Sequence, residues 1–338
     1  MESNRPRWNT IDLAKGILII IVFWGHMIPG VRRTTFARYV IYAFHMPLFF
    51  FISGFLFRIE KMDLNAGRLA RKYWSRMIFP WIIAVVFYYL SLNTEVTAAG
   101  FLKAFWYPYY HLWYIPGFLV YIAIVCVIWK IFGKTRLRWG LLLGIALLIS
   151  INSRFAIARK AAHIPQLRTL LDIFAYDFRC YNFFFFPLGI FMRNLYDRKQ
   201  RILPGKIRWV VLLVTIACVA YTIWLFWENY PRRERGMYLL GNTFLCVSLI
   251  DLLMTVKIPR CRVLEFLGRN SLPVYLYHVE GKNLAAQFAP KGTLTYYALG
   301  VLLFIVISIL IYYLGKIEIV NRIVFGMPPR KQPAVGEK

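Results

Sequence analysis

The sequence has few acidic residues: 15 Asp and Glu stand against 42 Lys and Arg, which gives a formal net charge of +27. A nucleic-acid-binding protein can have such a charge, but the chain lacks a zinc finger, an RNP-type motif and a continuous basic domain. The basic residues lie instead in short stretches between apolar blocks, where they orient a membrane protein and meet anionic lipid. The predicted partner is therefore the lipid bilayer, and no nucleic acid is expected.

Cysteine is also scarce. None of the five cysteines forms a CxxC pair, which argues against a disulfide framework and a zinc site. No Gly-x-Ser-x-Gly motif is present, so a serine acyl-enzyme is not predicted. No Cys, Asp or Glu stands at ligand spacing from the histidines, which argues against a metal. These absences argue against a metal without closing the question, and no resident cofactor is predicted.

Apolar residues are abundant. They make up 59% of the chain, with a mean hydropathy of +0.54, against about 45–50% in soluble domains. They fall into blocks long enough to cross a bilayer, which takes about 20 residues per helix. The pattern predicts an all-α, polytopic transmembrane bundle of about ten spans, in a single domain over residues 1–338. The predicted spans are roughly 11–29, 39–57, 77–94, 115–132, 139–152, 176–192, 209–227, 237–256, 270–287 and 294–315.

The distribution of Lys and Arg predicts the orientation. In the segments on the N-terminal side of the ten spans there are 27 of these residues, and in the opposite loops there are 13. Because cytoplasmic loops carry the excess of positive charge, both termini are predicted to be cytoplasmic. The chain is expected in the inner, cytoplasmic membrane.

The first span carries three ionisable residues, and such groups are costly in a membrane. Asp12 and Lys15 are three residues apart, so they share a helix face and can form an ion pair. His26 lies eleven residues beyond Lys15, close to three turns and about 16 Å further toward the outer side. His26 and Lys15 therefore face the same way.

Two other histidines fall at a similar depth. His45 lies near the outer start of the second span and His111 in the outer loop before the fourth, while His278 lies deeper. A lone membrane histidine is usually a hydrogen-bonded core residue, but three at one depth predict a site, and metal binding stays open. A neutral imidazole can take a proton from a hydroxyl near neutral pH, which suits direct acyl transfer.

The first cytoplasmic loop carries Arg68 and Arg71 at helical i, i+3 spacing. Anchoring by positive charge is the simpler interpretation of this pair. The alternative is a phosphate clamp, since paired guanidinium groups bind phosphate oxygens bidentately. Coenzyme A, with its pyrophosphate and 3′-phosphate, would suit such a clamp.

Taken in order, these segments resemble acyltransferase family 3, whose members include bacterial O-acetyltransferases of surface glycans. The resemblance covers nearly the whole chain. It differs at Lys15, where the family often has an arginine eleven positions before the histidine, although fucose acetyltransferase-like members look similar to this form. The matching motifs are residues 12–17, Gly25-His26, Phe44–Phe57, Arg68–Arg71, His111–Ile115, Arg179 with Phe183–Phe191, and Phe266–Gly281.

The resemblance implies an acyltransferase that moves an acyl group, commonly acetyl, from cytoplasmic acyl-CoA to a hydroxyl of an extracytoplasmic glycan or glycolipid. It implies that His26 is catalytic and that Arg68 and Arg71, together with Lys15, contact the CoA donor. The further site-lining residues that it implies are Asp12, His45, His111, Trp113, Arg179 and His278.

Two other classes of function compete with this interpretation. A transporter could also use buried histidines and cations as a proton or anion path, but it would be expected to show matching interrupted helices in two halves. The sequence has no such repeat. A scaffold or polysaccharide-export partner would need no buried histidines at all.

Overall fold

The computed structural model describes residues 8–30, 35–62, 65–92, 95–109, 111–158, 178–228 and 234–328. Every regular element within these ranges is helical, which confirms the all-α prediction there. A π-helix covers Trp74–Ile78, and 3-10 turns cover Ile59–Lys61 and Cys180–Asn182. The α-helices are α1 Asn9–Met27, α2 Phe36–Phe55, α3 Ala66–Tyr73, α4 Phe79–Leu92, α5 Ala98–Trp106, α6 Tyr114–Phe132, α7 Arg138–Ala158, α8 Phe185–Lys199, α9 Gly205–Trp227, α10 Glu234–Thr255, α11 Arg262–Arg269, α12 Ser271–Phe288, α13 Leu294–Leu314 and α14 Glu318–Ile323.

Each predicted apolar block contains a helix, but seven helical stretches in the described ranges are long and apolar enough to cross a membrane. The chain is thus a multi-pass membrane protein, and the count of ten spans stays a prediction. For two of the remaining helices, length or charge explains why they are not counted among these stretches. With 15 residues, α8 is only about 22 Å long, and α12 carries Glu280 and Lys282. The seven stretches are Asn9–Met27, Phe36–Phe55, Gly67–Leu92, Tyr114–Phe132, Gly205–Trp227, Tyr238–Thr255 and Leu294–Leu314.

The sixth predicted span, 176–192, differs from the observed helix. The start of that range, residues 176 and 177, lies outside the described residues. Arg179 has a φ of 53°, so the chain leaves helical geometry there, and a 3-10 turn follows. Ser150 bridges this turn, because its hydroxyl donates to the Cys180 carbonyl and accepts from the Phe184 amide. The helix α8 therefore begins only at Phe185.

Sequence reasoning also assigned some short helices to loops. In the predicted outer loop, α5 begins after Thr97, whose hydroxyl accepts a hydrogen bond from the Gly100 amide. In the predicted first cytoplasmic loop, α3 begins after Asn65, whose side chain accepts from the Arg68 amide. Both caps satisfy amide groups at helix starts that have no partner within the helix. Short helices of this kind give no long apolar block, so hydropathy does not reveal them.

The chain forms two compact units, each built from two separate stretches of sequence. The first unit contains residues 1–63 and 116–269, and the second contains residues 64–115 and 270–338. Within the first unit, α1 packs on α2 and α11, α2 on α8, and α9 on α10. Within the second, α12 packs on α4 and α13, and α14 packs on the π-helix.

The crossing of α2 and α8 depends on small residues. A Cβ atom on Gly54 would lie 2.0 Å from the Phe186 carbonyl oxygen, and one on Gly189 would lie 2.1 Å from the Phe51 carbonyl oxygen. The two backbones are therefore in direct contact, as is common between membrane helices, where small residues allow close approach.

Candidate active site

His26 lies one residue before the end of α1 and is partly buried. Its Nδ1 atom is 3.3 Å from the hydroxyl oxygen of Tyr42 on α2. The two rings meet edge to face, with centroids 6.4 Å apart and an interplanar angle of 84°. The predicted catalytic histidine is thus in hydrogen-bond contact with a tyrosine of the neighbouring helix.

Gly25 makes this contact possible. A Cβ atom at position 25 would lie 2.9 Å from the Ile41 Cγ2 atom and 3.4 Å from the Tyr42 Cε2 atom. The missing side chain leaves room for the tyrosine ring beside the α1 backbone. The Gly25-His26 pair noted in the sequence therefore has a packing reason in the structure.

The ring of Tyr42 also contacts Arg38 and His45. The Arg38 guanidinium lies over the ring, with Cζ 5.2 Å from the centroid, and its Nη1 donates to the Ile28 carbonyl at 2.5 Å. The His45 ring packs edge to face on Tyr42 at 5.0 Å. Because a carbonyl only accepts, the 2.7 Å bond to the Ile41 oxygen shows that Nδ1 of His45 carries a proton.

A proline in α2 creates an open acceptor beside this group. Pro47 has no N–H, so the Ala43 carbonyl, four residues earlier, lacks its helical partner. The Asn242 side-chain amide on α10 donates to that carbonyl at 2.9 Å and to the Tyr238 carbonyl at 2.7 Å. The bond fixes α2 one residue after Tyr42.

Asp12 and Lys15 form the predicted ion pair, with an N–O distance of 3.9 Å. This turn of α1 packs against α11, where Glu265 accepts hydrogen bonds from Arg260 and Arg269. The hydrogen bonds from Arg260, helped by the positive charge of Arg269, lower the pKa of the Glu265 carboxyl. Asp12 and Lys15 thus lie at the packed, charged end of α1, opposite the end that carries His26.

In the second unit, His111 and His278 are neighbours, with ring centroids 5.2 Å apart. His111 Nε2 donates to the Leu276 carbonyl at 3.1 Å, and His278 Nδ1 donates to the Tyr275 carbonyl at 2.8 Å. The Tyr275 hydroxyl donates back to the His111 carbonyl. Burial lowers the pKa of His111 well below its usual value, so its imidazole stays neutral.

Aromatic and polar groups surround that histidine pair. The Tyr88 ring stacks on Tyr109 at 5.0 Å and meets His111 edge to face at 5.2 Å. The Tyr109 hydroxyl donates to Asn283, which donates to Glu280 at 3.2 Å. Within the first unit, the Tyr42 ring contacts both His26 and His45. Within the second unit, the ring of His111 contacts the ring of His278.

Arg68 and Arg71 are both exposed on α3, one turn apart, as their spacing predicts. The π-helix that follows carries Arg76, which is partly buried. π-Helical turns are rare and often occur at functional sites. The structure therefore places two exposed arginines one turn apart on a short helix, and their role as a phosphate clamp stays a prediction.

Trp113 and Arg179 are the two remaining residues predicted to line the site. Trp113 is partly buried and meets Tyr114 edge to face at 6.3 Å. Arg179 precedes the 3-10 turn, and its backbone carbonyl accepts a 2.6 Å hydrogen bond from the Tyr121 hydroxyl. Among the described residues, no group of three or more His, Cys, Asp or Glu could hold a metal ion.

Sequence reasoning missed Tyr42, Arg38 and Asn242. A signal for the first two was available, because Arg38, Tyr42 and His45 follow one another at i, i+4 and i+7 on one face of α2. Pro47 likewise predicts an open carbonyl at Ala43. The residue that fills it, 199 positions away, cannot be found from spacing.

The sequence model of the acyltransferase 3 family, described as an acyltransferase domain, matches residues 8–313. The chain is also similar to the nodulation protein NolL of Mesorhizobium japonicum (strain LMG 29417 / CECT 9101 / MAFF 303099). The two are 27% identical over 376 residues, which cover 95% of this chain and 91% of that protein. No solved structure matches the chain.

Proposed function

We propose, from the premise that this chain belongs to the acyltransferase 3 family, that it transfers an acetyl group from cytoplasmic acyl-CoA to a sugar hydroxyl outside the inner membrane. As a membrane acyltransferase, the protein needs a base for the acceptor hydroxyl, a binding site for the acyl donor and an acceptor that receives the acyl group. The observation that carries the proposal is the placement of His26, partly exposed at the end of a span and hydrogen-bonded to Tyr42.

The proposed reaction is a direct transfer. His26 takes the proton of the acceptor hydroxyl as its oxygen attacks the thioester carbonyl carbon. The tetrahedral intermediate collapses with cleavage of the carbon–sulfur bond, and the leaving CoA thiolate takes the proton from the imidazolium. The products are the acetylated sugar and CoA thiol, and the histidine returns to its neutral form.

The donor binds through its phosphates. Arg68 and Arg71 are exposed guanidinium groups one helical turn apart, and such groups form short, charge-assisted bonds to phosphate oxygens. In the predicted topology α3 is cytoplasmic, where acyl-CoA is available. Lys15 keeps a cation where related chains often have arginine, but its amine pairs with Asp12 and lacks the planar fork.

A glycan or glycolipid acceptor fits the predicted outer location of His26. The end of α1 that carries this residue lies opposite the end that carries Asp12 and Lys15. The resemblance to family members that acetylate surface polysaccharides supports a sugar over a small soluble alcohol. Family membership also favours acyl transfer over the transporter and export-partner alternatives.

The test uses purified protein in lipid nanodiscs, radiolabelled acetyl-CoA and the glycan fraction extracted from the producing strain. We expect His26→Gln to reduce incorporation of alkali-labile label by about 10²–10⁴-fold, the usual contribution of a general base. The affinity for CoA should stay at the wild-type value, because the proposed contacts to the CoA phosphates come from Arg68 and Arg71. A folded His26→Gln protein that transfers label at the wild-type rate would rule out His26 as the base.

A further inference from the structure

We infer that Tyr42 is the positioning residue of the catalytic histidine: its hydroxyl accepts a hydrogen bond from Nδ1 of His26, so that the lone pair of the neutral imidazole lies on Nε2, which acts as the base. The inference rests on the proposed function of His26. The contact itself is a 3.3 Å approach of the Tyr42 hydroxyl oxygen to His26 Nδ1.

The chemistry selects one of two proton arrangements. If the tyrosine hydroxyl donated to Nδ1, the neutral imidazole would carry its proton on Nε2, which could then not accept another. If Nδ1–H donates to the hydroxyl oxygen, Nε2 holds the lone pair that a base requires. When the base takes up the acceptor proton, the Nδ1–H bond becomes a hydrogen bond from a cation and strengthens. Tyr42 itself stays protonated throughout.

The surroundings of Tyr42 hold its ring in the required place. The ring packs edge to face with His45 at 5.0 Å, and the Arg38 guanidinium lies over it at 5.2 Å from the centroid. The absence of a side chain at Gly25 lets the ring approach α1. A ring held by such contacts can orient an imidazole, as in catalytic triads where a third group orients the base.

The backbone that carries Tyr42 is also fixed. The next residue, Ala43, has a carbonyl that Pro47 leaves without a helical partner, and the Asn242 amide binds it at 2.9 Å. The Arg38 side chain bonds to the Ile28 carbonyl, two residues beyond His26. These two bonds tie α2 to α10 and to the end of α1, so the distance between Tyr42 and His26 is set by the fold.

The experiment is a double-mutant cycle with Tyr42→Phe and His26→Gln, which isolates the coupling of two residues. Tyr42→Phe removes one oxygen and keeps the ring and its packing. We expect it to lower kcat by about ten- to a hundredfold, the range for a hydrogen bond to a charged group. The KM for acetyl-CoA and the CoA affinity should not change. In the His26→Gln background, Tyr42→Phe should have no further effect on the residual rate.

The matched control is Tyr39→Phe, which removes a hydroxyl from the same helix. The Tyr39 hydroxyl donates to the Thr222 carbonyl at 3.4 Å, so this variant should keep the wild-type kcat. The inference is overturned if Tyr42→Phe is fully active, if it lowers the rate equally in both backgrounds, or if its loss of rate follows a loss of CoA affinity. A fully active His26→Gln would instead refute the proposed function, so the two failures are distinguishable.

Discussion

Gly268 approaches Asp12 so closely that a Cβ atom at position 268 would lie 1.7 Å from the Asp12 carbonyl oxygen. The reciprocal contact is as tight, since a Cβ atom on Gly16 would lie 2.0 Å from the Leu264 carbonyl oxygen. In both cases the obstacle is backbone, which cannot rotate away. The charged end of α1 therefore needs glycine on both helices to pack against α11.

The first prediction concerns this crossing. Gly268→Ala should lower the unfolding temperature in nanodiscs or prevent folding, because the two helices must separate to admit a methyl group. The control is Gly144→Ala in α7, where no atom beyond the neighbouring residues and backbone of the same helix lies within 4 Å of the new Cβ. Alanine is the better helix former by about 0.5–1 kcal/mol, so this control should be neutral or stabilising. Equal unfolding temperatures for the two variants would contradict the close contact.

The second prediction concerns the Ala43 carbonyl. Asn242→Leu should destabilise the protein by about 1–3 kcal/mol, the cost of a buried polar group without a partner. Pro47→Ala restores a backbone N–H that can bond the same carbonyl within α2. The cost of Asn242→Leu should therefore be smaller in the Pro47→Ala background, as measured by thermal or denaturant unfolding. The same cost in both backgrounds would show that the Ala43 bond does not stabilise the fold.

The third prediction concerns the donor site. Arg68→Ala should weaken CoA binding by on the order of 1.5–3 kcal/mol, or roughly ten- to over a hundredfold, because a charged contact to a phosphate is lost. Isothermal titration with CoA measures the change. Arg201, exposed between α8 and α9, provides the control. If Arg201→Ala weakens binding as much as Arg68→Ala, only bulk charge matters and the clamp is wrong.

The fourth prediction concerns pH. The lowered pKa of Glu265 means that its carboxylate stabilises the folded state at pH values above its unfolded pKa of about 4.3. That stabilisation is lost as the pH falls through the folded value and the bonds from Arg260 and Arg269 disappear. Glu265→Gln should be less stable than the wild type near pH 7, and the difference should shrink toward pH 3. Unfolding temperatures that differ by the same amount at both pH values would argue against the ion pairs.

The fifth prediction concerns topology. Reporter fusions at position 100 and position 200 should report opposite sides, with 100 outside and 200 inside, because the charge distribution places them so. Position 100 lies within α5 and position 200 directly follows α8. Activity of both fusions on the same side of the membrane would refute the predicted orientation.

Much of the fold follows from local properties of the chain. The bounds of α1, α2, α6 and α13 agree with the predicted spans to within three residues, because an apolar block of about 20 residues has few alternatives in a bilayer. The start of α8 could not be obtained in this way. It depends on the left-handed backbone of Arg179 and on the bridge from Ser150, both of which lie outside the hydropathy signal.

The sequence by itself determined that the protein is an all-helical membrane chain, because its apolar blocks are long enough to cross a bilayer. It also determined that Asp12 and Lys15 can pair and that His26 faces the same way as Lys15, since both relations depend on spacing along one helix. Only the tertiary structure decided which histidines are neighbours. His111 pairs with His278 across 167 positions of sequence, while Tyr42 meets His26 because Gly25 leaves space between two helices. Contacts of this kind depend on how helices pack, and helix packing is set by the shapes of many side chains at once, which no single motif records.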